Sequence, residues 1–352
     1  MKVIAEKLMS IFKTAVFLAV ILPFAASAKH LKTEEPEKIR VLVATSVSKP
    51  EALQLTADKN GTINFRGKKY TGELQFFDDG RKTLTAVNVL PLEEYLIGLV
   101  ASEMPKDWPL EALKAQAVIA RTYALYQKKI RSSKQSSSFY DVESGVQDQV
   151  YLGIANHDSR VKGAVESTKG EIVSYKGQVF KSFFSSTCGG MTESAVNVWG
   201  EKGLFALIKD PYCARSPYSA WKYSLSRREL AARLSTGGFQ AETIKGMTVE
   251  HRKNNPRVAT LEIDAGGKKF FIQGSDFRKI VGFKDIKSTW FDVKINGGQI
   301  EFEGKGYGHG VGLCQWGAYG MADAGKSYHE ILKYYYPGVK ITNPHHYEVI
   351  GF

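Results

Sequence analysis

Prolines at both ends of one apolar segment constrain this chain most. Between Pro91 and Pro105, apolar residues recur at helical spacing, and Tyr95, Leu99 and Glu103 follow i, i+4 and i+8. A proline suits the first position of a helix, and it disfavours helical geometry at the residue before it. The sequence therefore predicts a helix that begins near Pro91 and ends near Glu103.

A second helix is predicted directly afterwards, from Trp108 to Leu125. Its several alanines permit close approach of another helix, and the preceding helix, folded back through a short turn, is the simplest partner. Arg121 lies in this stretch, where it would either pair with Glu93 or Glu94 across the hairpin or contact a substrate. We therefore expect a helical hairpin at the centre of the chain.

Glu103 is notable because its spacing places a carboxyl group on the buried stripe. Loss of solvent and the negative end of the helix dipole both disfavour the charged form, so its pKa is expected to rise towards the range of a general acid. Alternatively, Glu103 is the first solvated residue past the helix or the partner of a nearby arginine. Spacing alone leaves both interpretations open.

β-type segments flank this helical centre. Residues 39–90 alternate short apolar runs with turn signals, and 258–263, 269–273 and 291–295 are predicted strands near a helix over 226–234. The fold class is therefore predicted as α+β. The expected divisions are an export signal (1–28), a linker (29–38), a small antiparallel β unit (39–90), the first part of a catalytic core (91–221), a β-rich insertion (222–303) and the C-terminal part of that core (304–352).

Glycine occupies every second position from Gly304 to Gly312. In an extended strand leading into a helix, this pattern leaves one face bare and places Lys305, Tyr307 and His309 on the other. A bare face suits close approach of another molecule to the backbone, so His309 is predicted to line a site. The alternative is tight packing of the strand against the following helix, with a structural histidine.

The first 28 residues have the pattern of an export signal, with three lysines, a short apolar stretch and Ala26-Ser27-Ala28 as the cleavage site. The predicted location is the periplasm or the outer face of the cytoplasmic membrane, with membrane attachment only if the signal is retained. Lys and Arg exceed Asp and Glu by 48 to 36, a net charge of +12. This surplus indicates an anionic partner, and export favours cell-wall polymer or a membrane surface over nucleic acid.

The chain has three cysteines, an odd number that leaves at least one thiol unpaired in a monomer. Cys188 and Cys213 both lie in loop-forming sequence, so a disulfide between them is the favoured pairing in an oxidising compartment. The alternative is a zinc site that adds a histidine, although no CxxC spacing supports it.

Several ordered motifs carry a resemblance to a known family, the stage II sporulation protein D family of peptidoglycan lytic transglycosylases. The resemblance extends from about residue 39 to the C-terminus. Its motifs are VLPLEEYL (89–96), ASEMP (101–105), EALKAQAVIARTY (111–123), QVYLG (149–153), SSTCGGMT (185–192), GYGHGVG (306–312) and QWGA (315–318). Cys314 stands where the family often has serine, and residues 222–302 match only loosely.

This resemblance implies cleavage of the β-1,4 bond between N-acetylmuramic acid and N-acetylglucosamine, which leaves a 1,6-anhydro end. Glu103, in the ASEMP motif, would protonate the leaving oxygen and then accept the proton of the muramyl 6-hydroxyl. Arg121, Tyr151, His309 and Gln315 are the residues expected to orient the sugar or the acid. No cofactor is expected.

Two other function classes stay open. Family relatives called amidase enhancers indicate a non-catalytic wall-binding protein that assists a cell-wall amidase. Cys188 and Cys213 with a histidine would instead suit a metal-dependent wall hydrolase. Because family members act with amidases that strip stem peptides, glycan strands without peptides are the expected substrate.

Overall fold

The computed structural model describes residues 36–78, 80, 82–133, 138–145, 148–154, 158–200, 207–344 and 346–350. The predicted export signal (1–28) and most of the linker (29–38) lie outside these residues. Within the described ranges, no helix is long and apolar enough to cross a membrane. The chain forms two compact units: one contains the described residues up to Pro105 with Ala124–Lys162, and the other contains Lys106–Tyr123 with those from Gly163 onward.

A four-stranded sheet is the base of the first unit. The unit's elements are β1 (Lys38–Val47), α1 (Lys49–Leu53), β2 (Thr56–Ala57), β3 (Ile63–Phe65), β4 (Lys68–Tyr70), β5 (Glu73–Asp78), β6 (Leu84–Pro91), α2 (Leu92–Glu103) and, later in the chain, β7 (Val142–Glu143). Strands β5, β6 and β1 are antiparallel neighbours, and β7 lies parallel to β1 at the edge. Strands β2, β3 and β4 form a second, smaller antiparallel sheet. Antiparallel strands thus occupy the region where the sequence predicts them, with the short helix α1 in addition.

Helix α2 spans the residues predicted for it. Pro91 is its N-cap, and Met104 after its last residue is extended (φ −132°, ψ 144°), as expected for a residue before proline. Seven of its residues are buried, among them Tyr95 and Leu99, and the helix packs against β1 and β6. Glu103 is therefore the last residue of a helix that is fixed on a sheet.

Helix α3 (Leu110–Ser133) is longer than predicted. In its first half, Ala112 and Ala115 share a hydrophobic core with Val173 and Phe180 of the second unit. Small side chains in this face let the helix lie close to those residues. Packing of α2 against α3 as a hairpin stays a prediction.

The rest of the chain alternates short strands and helices. Its elements are α4 (Ser159–Ser167), β8 (Ile172–Tyr175), β9 (Gln178–Val179), β10 (Phe184–Ser185), α5 (Ala195–Trp199), a 3-10 helix (Pro211–Arg215), β11 (Trp221–Ser226), α6 (Arg227–Thr236), β12 (Gly246–His251), β13 (Val258–Asp264), β14 (Lys269–Gln273), α7 (Gly274–Val281), β15 (Phe291–Asn296), β16 (Gln299–Gly304), β17 (Leu313–Cys314), α8 (Gln315–Asp323), α9 (Tyr328–Tyr335), β18 (Lys340–Thr342) and β19 (Glu348–Val349). Together with the first unit, these elements make the chain α+β, as predicted.

The region from β11 to β16 is the part expected to be β-rich, and it has its own hydrophobic core. Strands β11, β16 and β15 form one antiparallel sheet, and β12, β13 and β14 form another. Phe277, Phe291 and Phe302 pack against one another in this core, with ring centroids 5.6–6.0 Å apart. The predicted helix and all three predicted strands are present here.

The glycine-rich segment differs from the extended strand predicted for it. Strand β16 ends at Gly304, and the next regular strand is the two-residue β17; between them, Tyr307 and Val311 form only isolated bridges, with Thr187 and Glu193. Between them, four glycines have positive φ, which takes the backbone out of the β region: Gly306, Gly308, Gly310 and Gly312. A Cβ atom at Gly312 would overlap the carbonyl oxygen of Phe183, so the bare positions serve close backbone packing within the protein.

Candidate active site around Glu103

Glu103 lies half-buried at the C-terminal end of α2. Its Oε1 atom accepts a hydrogen bond of 2.8 Å from the backbone N–H of Val150. A backbone amide is a rigid donor, so this bond fixes the direction of the carboxyl group at the helix end. The carboxyl of Glu103 is therefore held in one orientation, as an acid and base in catalysis requires.

The two neighbours of Val150 anchor this donor. Gln149 Oε1 accepts a 3.0 Å hydrogen bond from the Tyr95 hydroxyl, and the Tyr151 hydroxyl donates a 3.0 Å bond to Asn88 Oδ1. Both bonds are buried, and the rings of Tyr95 and Tyr151 lie 5.1 Å apart. Tyr151 thus lies next to the residue that donates to Glu103, and its own hydrogen bond holds the loop of residues 149–153 in position.

Gly98 of α2 makes room for this loop. A Cβ atom at Gly98 would lie 2.6 Å from the carbonyl oxygen of Gly153 and 2.9 Å from Cε2 of Tyr151. Burial raises the pKa of Tyr151 and of Tyr95 above the ordinary value, so both hydroxyls remain neutral donors. The contact between α2 and the loop therefore depends on a glycine and two neutral tyrosines.

Arg121 is 1% exposed, and its guanidinium group binds backbone carbonyls. It donates to the carbonyl oxygen of Glu171 at 3.0 Å and to that of Val165 at 3.4 Å. These contacts hold the end of α4 and the start of β8 to α3. Such burial does not support direct contact of Arg121 with a glycan.

His309 belongs to the second unit, in an aromatic cluster with Phe183 and Trp199. The imidazole centroid lies 4.9 Å from that of Trp199, and Phe183 stacks on Trp199 at 4.4 Å. His309 Nδ1 accepts a 3.0 Å hydrogen bond from the N–H of Val311. Burial, with two nearby arginines, lowers the pKa of His309 to about 3, so its imidazole is neutral near pH 7.

Gln315 is the remaining residue expected to orient the sugar or the acid. Gln315 is 5% exposed and is the first residue of α8. Tyr335 and Tyr336, at the end of α9, are fully buried in the hydrophobic core that also contains Cys314 and Ala318. A capping box formed by Ser327 and Glu330 begins α9.

The predicted disulfide between Cys188 and Cys213 is not formed. Their Sγ atoms lie 3.6 Å apart, whereas a disulfide bond is about 2.05 Å long, and all three cysteines are free and buried. Cys314 and Asp210 join them, with the four ligand atoms within 4.8 Å of one another. The further ligand expected from the sequence is a histidine and not Asp210, although Asp210 and Cys213 are separated by two residues, as paired metal ligands often are.

Comparison with known proteins gives the family context. The model of the family described as Stage II sporulation protein matches residues 80–175, and that of a domain of unknown function matches residues 175–312. The first match contains Glu103, Val150 and Tyr151, and the second contains the aromatic cluster and two of the cysteines.

Three curated relatives cover most of this chain. An uncharacterized protein of Brachyspira hyodysenteriae is 39% identical over 80% of this chain and 74% of its own length. Stage II sporulation protein D of Bacillus subtilis is 36% identical over 73% of this chain and 76% of its own length. The amidase enhancer of Bacillus subtilis is 29% identical over 80% of this chain but only 45% of its own length. From these matches, the chain belongs to the stage II sporulation protein D family.

Proposed function

We propose that this chain acts on the bacterial cell wall as a peptidoglycan lytic transglycosylase, with Glu103 as the single acid and base. The observation that carries this proposal is the hydrogen bond from the Val150 N–H to Glu103 Oε1, which orients the carboxyl group at the end of α2. Membership in a family that includes stage II sporulation protein D and an amidase enhancer supports a role at the cell wall.

The proposed reaction needs only one carboxyl group. Neutral Glu103 donates its proton to the glycosidic oxygen as the bond from that oxygen to muramyl C1 breaks. The resulting carboxylate then accepts the proton of the muramyl 6-hydroxyl as that oxygen bonds to C1. Because an internal hydroxyl takes the place of water, the second carboxylate of an ordinary glycosidase is not required.

The positive charge of the chain supports a polyanionic substrate. Glycan strands without stem peptides expose muramyl lactyl carboxylates, and the chain carries a net charge of +12. Retention on such strands should therefore weaken as the salt concentration rises. Binding to purified glycan strands that does not change between 50 mM and 500 mM salt would contradict this part of the proposal.

A glycan-product assay tests the activity directly. Purified protein is incubated with amidase-stripped glycan strands, and 1,6-anhydromuramyl products are identified by mass. We expect Glu103→Gln to lower product formation by about 10²-fold or more, since general acid catalysis contributes that much. The matched control is Glu94→Gln, which removes a carboxylate from the first turn of the same helix and should leave activity unchanged. No product from the wild-type chain, or equal product from Glu103→Gln, would overturn the proposal.

A non-catalytic enhancer of a wall amidase is the second candidate, because one relative carries that name. The same proteins distinguish the two functions when they are added to a purified cell-wall amidase on intact peptidoglycan. An enhancer would stimulate release of stem peptides equally well as wild type and as Glu103→Gln. Stimulation that is lost with Glu103→Gln would favour the lytic activity.

We also propose that the chain is exported by its first 28 residues to the periplasm or the outer face of the cytoplasmic membrane. Mass spectrometry of the mature N-terminus is expected to find cleavage after Ala28. A full-length N-terminus on cytoplasmic protein would contradict export.

A further inference from the structure

All three cysteines of the chain meet one aspartate inside the second unit. Cys188, Asp210, Cys213 and Cys314 are at most 2% exposed, and their ligand atoms all lie within 4.8 Å of one another. We propose that these four residues, the cysteine cluster, bind a structural zinc ion. This site is separate from the Glu103 chemistry and does not depend on the proposed function.

The spacing of the side-chain atoms suits a tetrahedral ion. With zinc–sulfur distances of about 2.3 Å and a zinc–oxygen distance of about 2.0 Å, sulfurs lie about 3.8 Å apart and a sulfur lies about 3.5 Å from the oxygen. The Sγ atoms of Cys188 and Cys213 are 3.6 Å apart, and Cys188 Sγ lies 3.1 Å from Asp210 Oδ2. These two distances differ from the tetrahedral values by about 0.2–0.4 Å, and all four ligand atoms lie within 4.8 Å of one another.

Secondary structure brings the ligands together from three parts of the chain. Cys188 follows β10, which pairs in parallel with β17, where Cys314 is the last residue. Cys213 lies in the 3-10 helix whose N-cap is Asp210, and this helix packs against α8. The four ligands are thus placed by backbone pairing and capping, as a preformed site requires.

Donors outside the ligand side chains point at two of the four ligand atoms, Cys314 Sγ and Asp210 Oδ2. Cys314 Sγ accepts from the N–H of Cys188 at 3.2 Å and from that of Gly317 at 3.3 Å. Asp210 Oδ2 accepts from the Tyr335 hydroxyl at 2.9 Å. Donors of this kind hold metal ligands in place and stabilise thiolates.

A buried cation next to the cluster indicates negative charge there. Arg257 is fully buried and donates to the carbonyl of Cys188 at 2.7 Å, yet its Nε and Nη1 atoms have no hydrogen-bond partner among the described residues. A buried guanidinium in that state requires nearby negative charge. Three thiolates and a carboxylate around Zn²⁺ have a net charge of about −2. Together with the buried carboxylate of Glu193, this site would provide the negative charge near Arg257.

The donor set and the burial decide the metal and its role. Thiolates select zinc over magnesium or calcium, which prefer oxygen ligands. Four protein ligands without access to solvent form a closed site, which is typical of structural zinc and leaves no position for a catalytic water. The metal-dependent hydrolase considered from the sequence therefore gains no support from this cluster.

Metal binding by the full chain tests the proposal. The protein is reduced and freed of metal without oxygen, mixed with Zn²⁺ or Co²⁺ and passed through a desalting column. We expect about one zinc per chain, thiolate-to-cobalt charge-transfer absorption with the bands of tetrahedral Co²⁺, and a lower melting temperature after chelation. Loss of both metals on the column while three thiols react with Ellman's reagent after unfolding would overturn the proposal. Formation of a Cys188–Cys213 disulfide in place of metal binding would also overturn it.

A pair of aspartate variants separates ligand loss from general destabilisation. Asp210→Asn should weaken zinc binding at least about tenfold and retain the charge-transfer bands of three thiolates. Asp141→Asn removes another buried aspartate, which pairs with Arg40 in the first unit, and should leave zinc affinity unchanged. Equal zinc affinity of Asp210→Asn and the wild type would show that Asp210 is not a ligand.

Discussion

The surroundings of Glu103 and the cysteine cluster are assembled in different ways. Glu103 is held by residues at the end of one helix and a short loop, and its carboxyl is half-buried. The cysteine cluster joins residues up to 126 positions apart in the chain, and all of them are buried. A reactive group must reach a substrate, whereas a structural site gains from exclusion of water, and this difference matches the two roles proposed here.

The two sites also differ in what their neighbouring glycines protect. Gly98 separates α2 from the loop of residues 149–153, and a Cβ atom there would meet the Gly153 carbonyl oxygen and the Tyr151 ring. A Cβ atom at Gly317 of α8 would instead overlap buried oxygen atoms of Asp210 and Tyr335, which are hydrogen-bonded to each other. Substitution of these glycines therefore compares the tolerance of the two sites.

The largest effect on stability is expected from Gly317→Ala. Its Cβ atom would overlap Tyr335 Oη and Asp210 Oδ2, and overpacking of a buried site costs about 3 kcal/mol at the upper end of the usual range. Urea unfolding should show this loss in the free energy of unfolding, together with weaker zinc binding. Gly163→Ala is the control, because this helical position in α4 faces open space and should gain up to about 1 kcal/mol. Equal stability of the two variants would show that the cluster is not tightly packed.

Gly98→Ala should lower the free energy of unfolding less than Gly317→Ala does, but it should reduce the activity on glycan strands more. The new Cβ would lie 2.6 Å from the Gly153 carbonyl, so the loop should move away from α2 at a cost of about 2 kcal/mol. Because this loop carries the Val150 donor to Glu103, product formation on glycan strands should fall at least about tenfold. Full activity in a destabilised variant would mean that the loop does not position the acid.

Tyr95→Phe removes one hydroxyl and leaves the ring in place. It deletes the buried hydrogen bond to Gln149, at a cost of about 1 kcal/mol in the free energy of unfolding. If the Gln149 contact anchors the donor at Val150, kcat on glycan strands should fall several-fold with little change in KM. Tyr70→Phe is the comparison, because the Tyr70 ring lies 6.1 Å from that of Tyr151, and this substitution should leave kcat unchanged. An unchanged kcat, or a change in KM alone, would contradict a positioning role for Tyr95.

The smallest effect concerns pH. The pKa of His309 is about 3 in the folded protein and about 6.5 in an unfolded chain, so the unfolded state binds a proton first as the pH falls. This contribution to stability is complete above pH 6.5 and is lost progressively towards pH 3. Between pH 7 and pH 6, the loss should be at most about 0.7 kcal/mol. His309→Gln should remove this part of the pH dependence in urea unfolding, and an unchanged slope would contradict the low pKa.

Local pattern was enough to predict α2 and its end, since the prolines and the apolar spacing act within one turn of the helix. The strands and helix of the β-rich region were also predictable from local alternation and capping. The glycine-rich segment was not, because alternate glycines fit an extended strand as well as a chain with repeated positive φ. Its conformation depends on partners such as Phe183 and Arg257, which lie far away in sequence.

By itself, the sequence determined the α+β class, the helix that ends at Glu103 and the family of the chain. Each of these depends on local spacing or on ordered motifs, which are present in the sequence before folding. Only the tertiary structure decided that Val150 donates to Glu103, that Arg121 binds backbone carbonyls and that Asp210 completes the cysteine cluster. Such contacts join residues across tens to more than one hundred positions, and their geometry is set by the packing of whole elements.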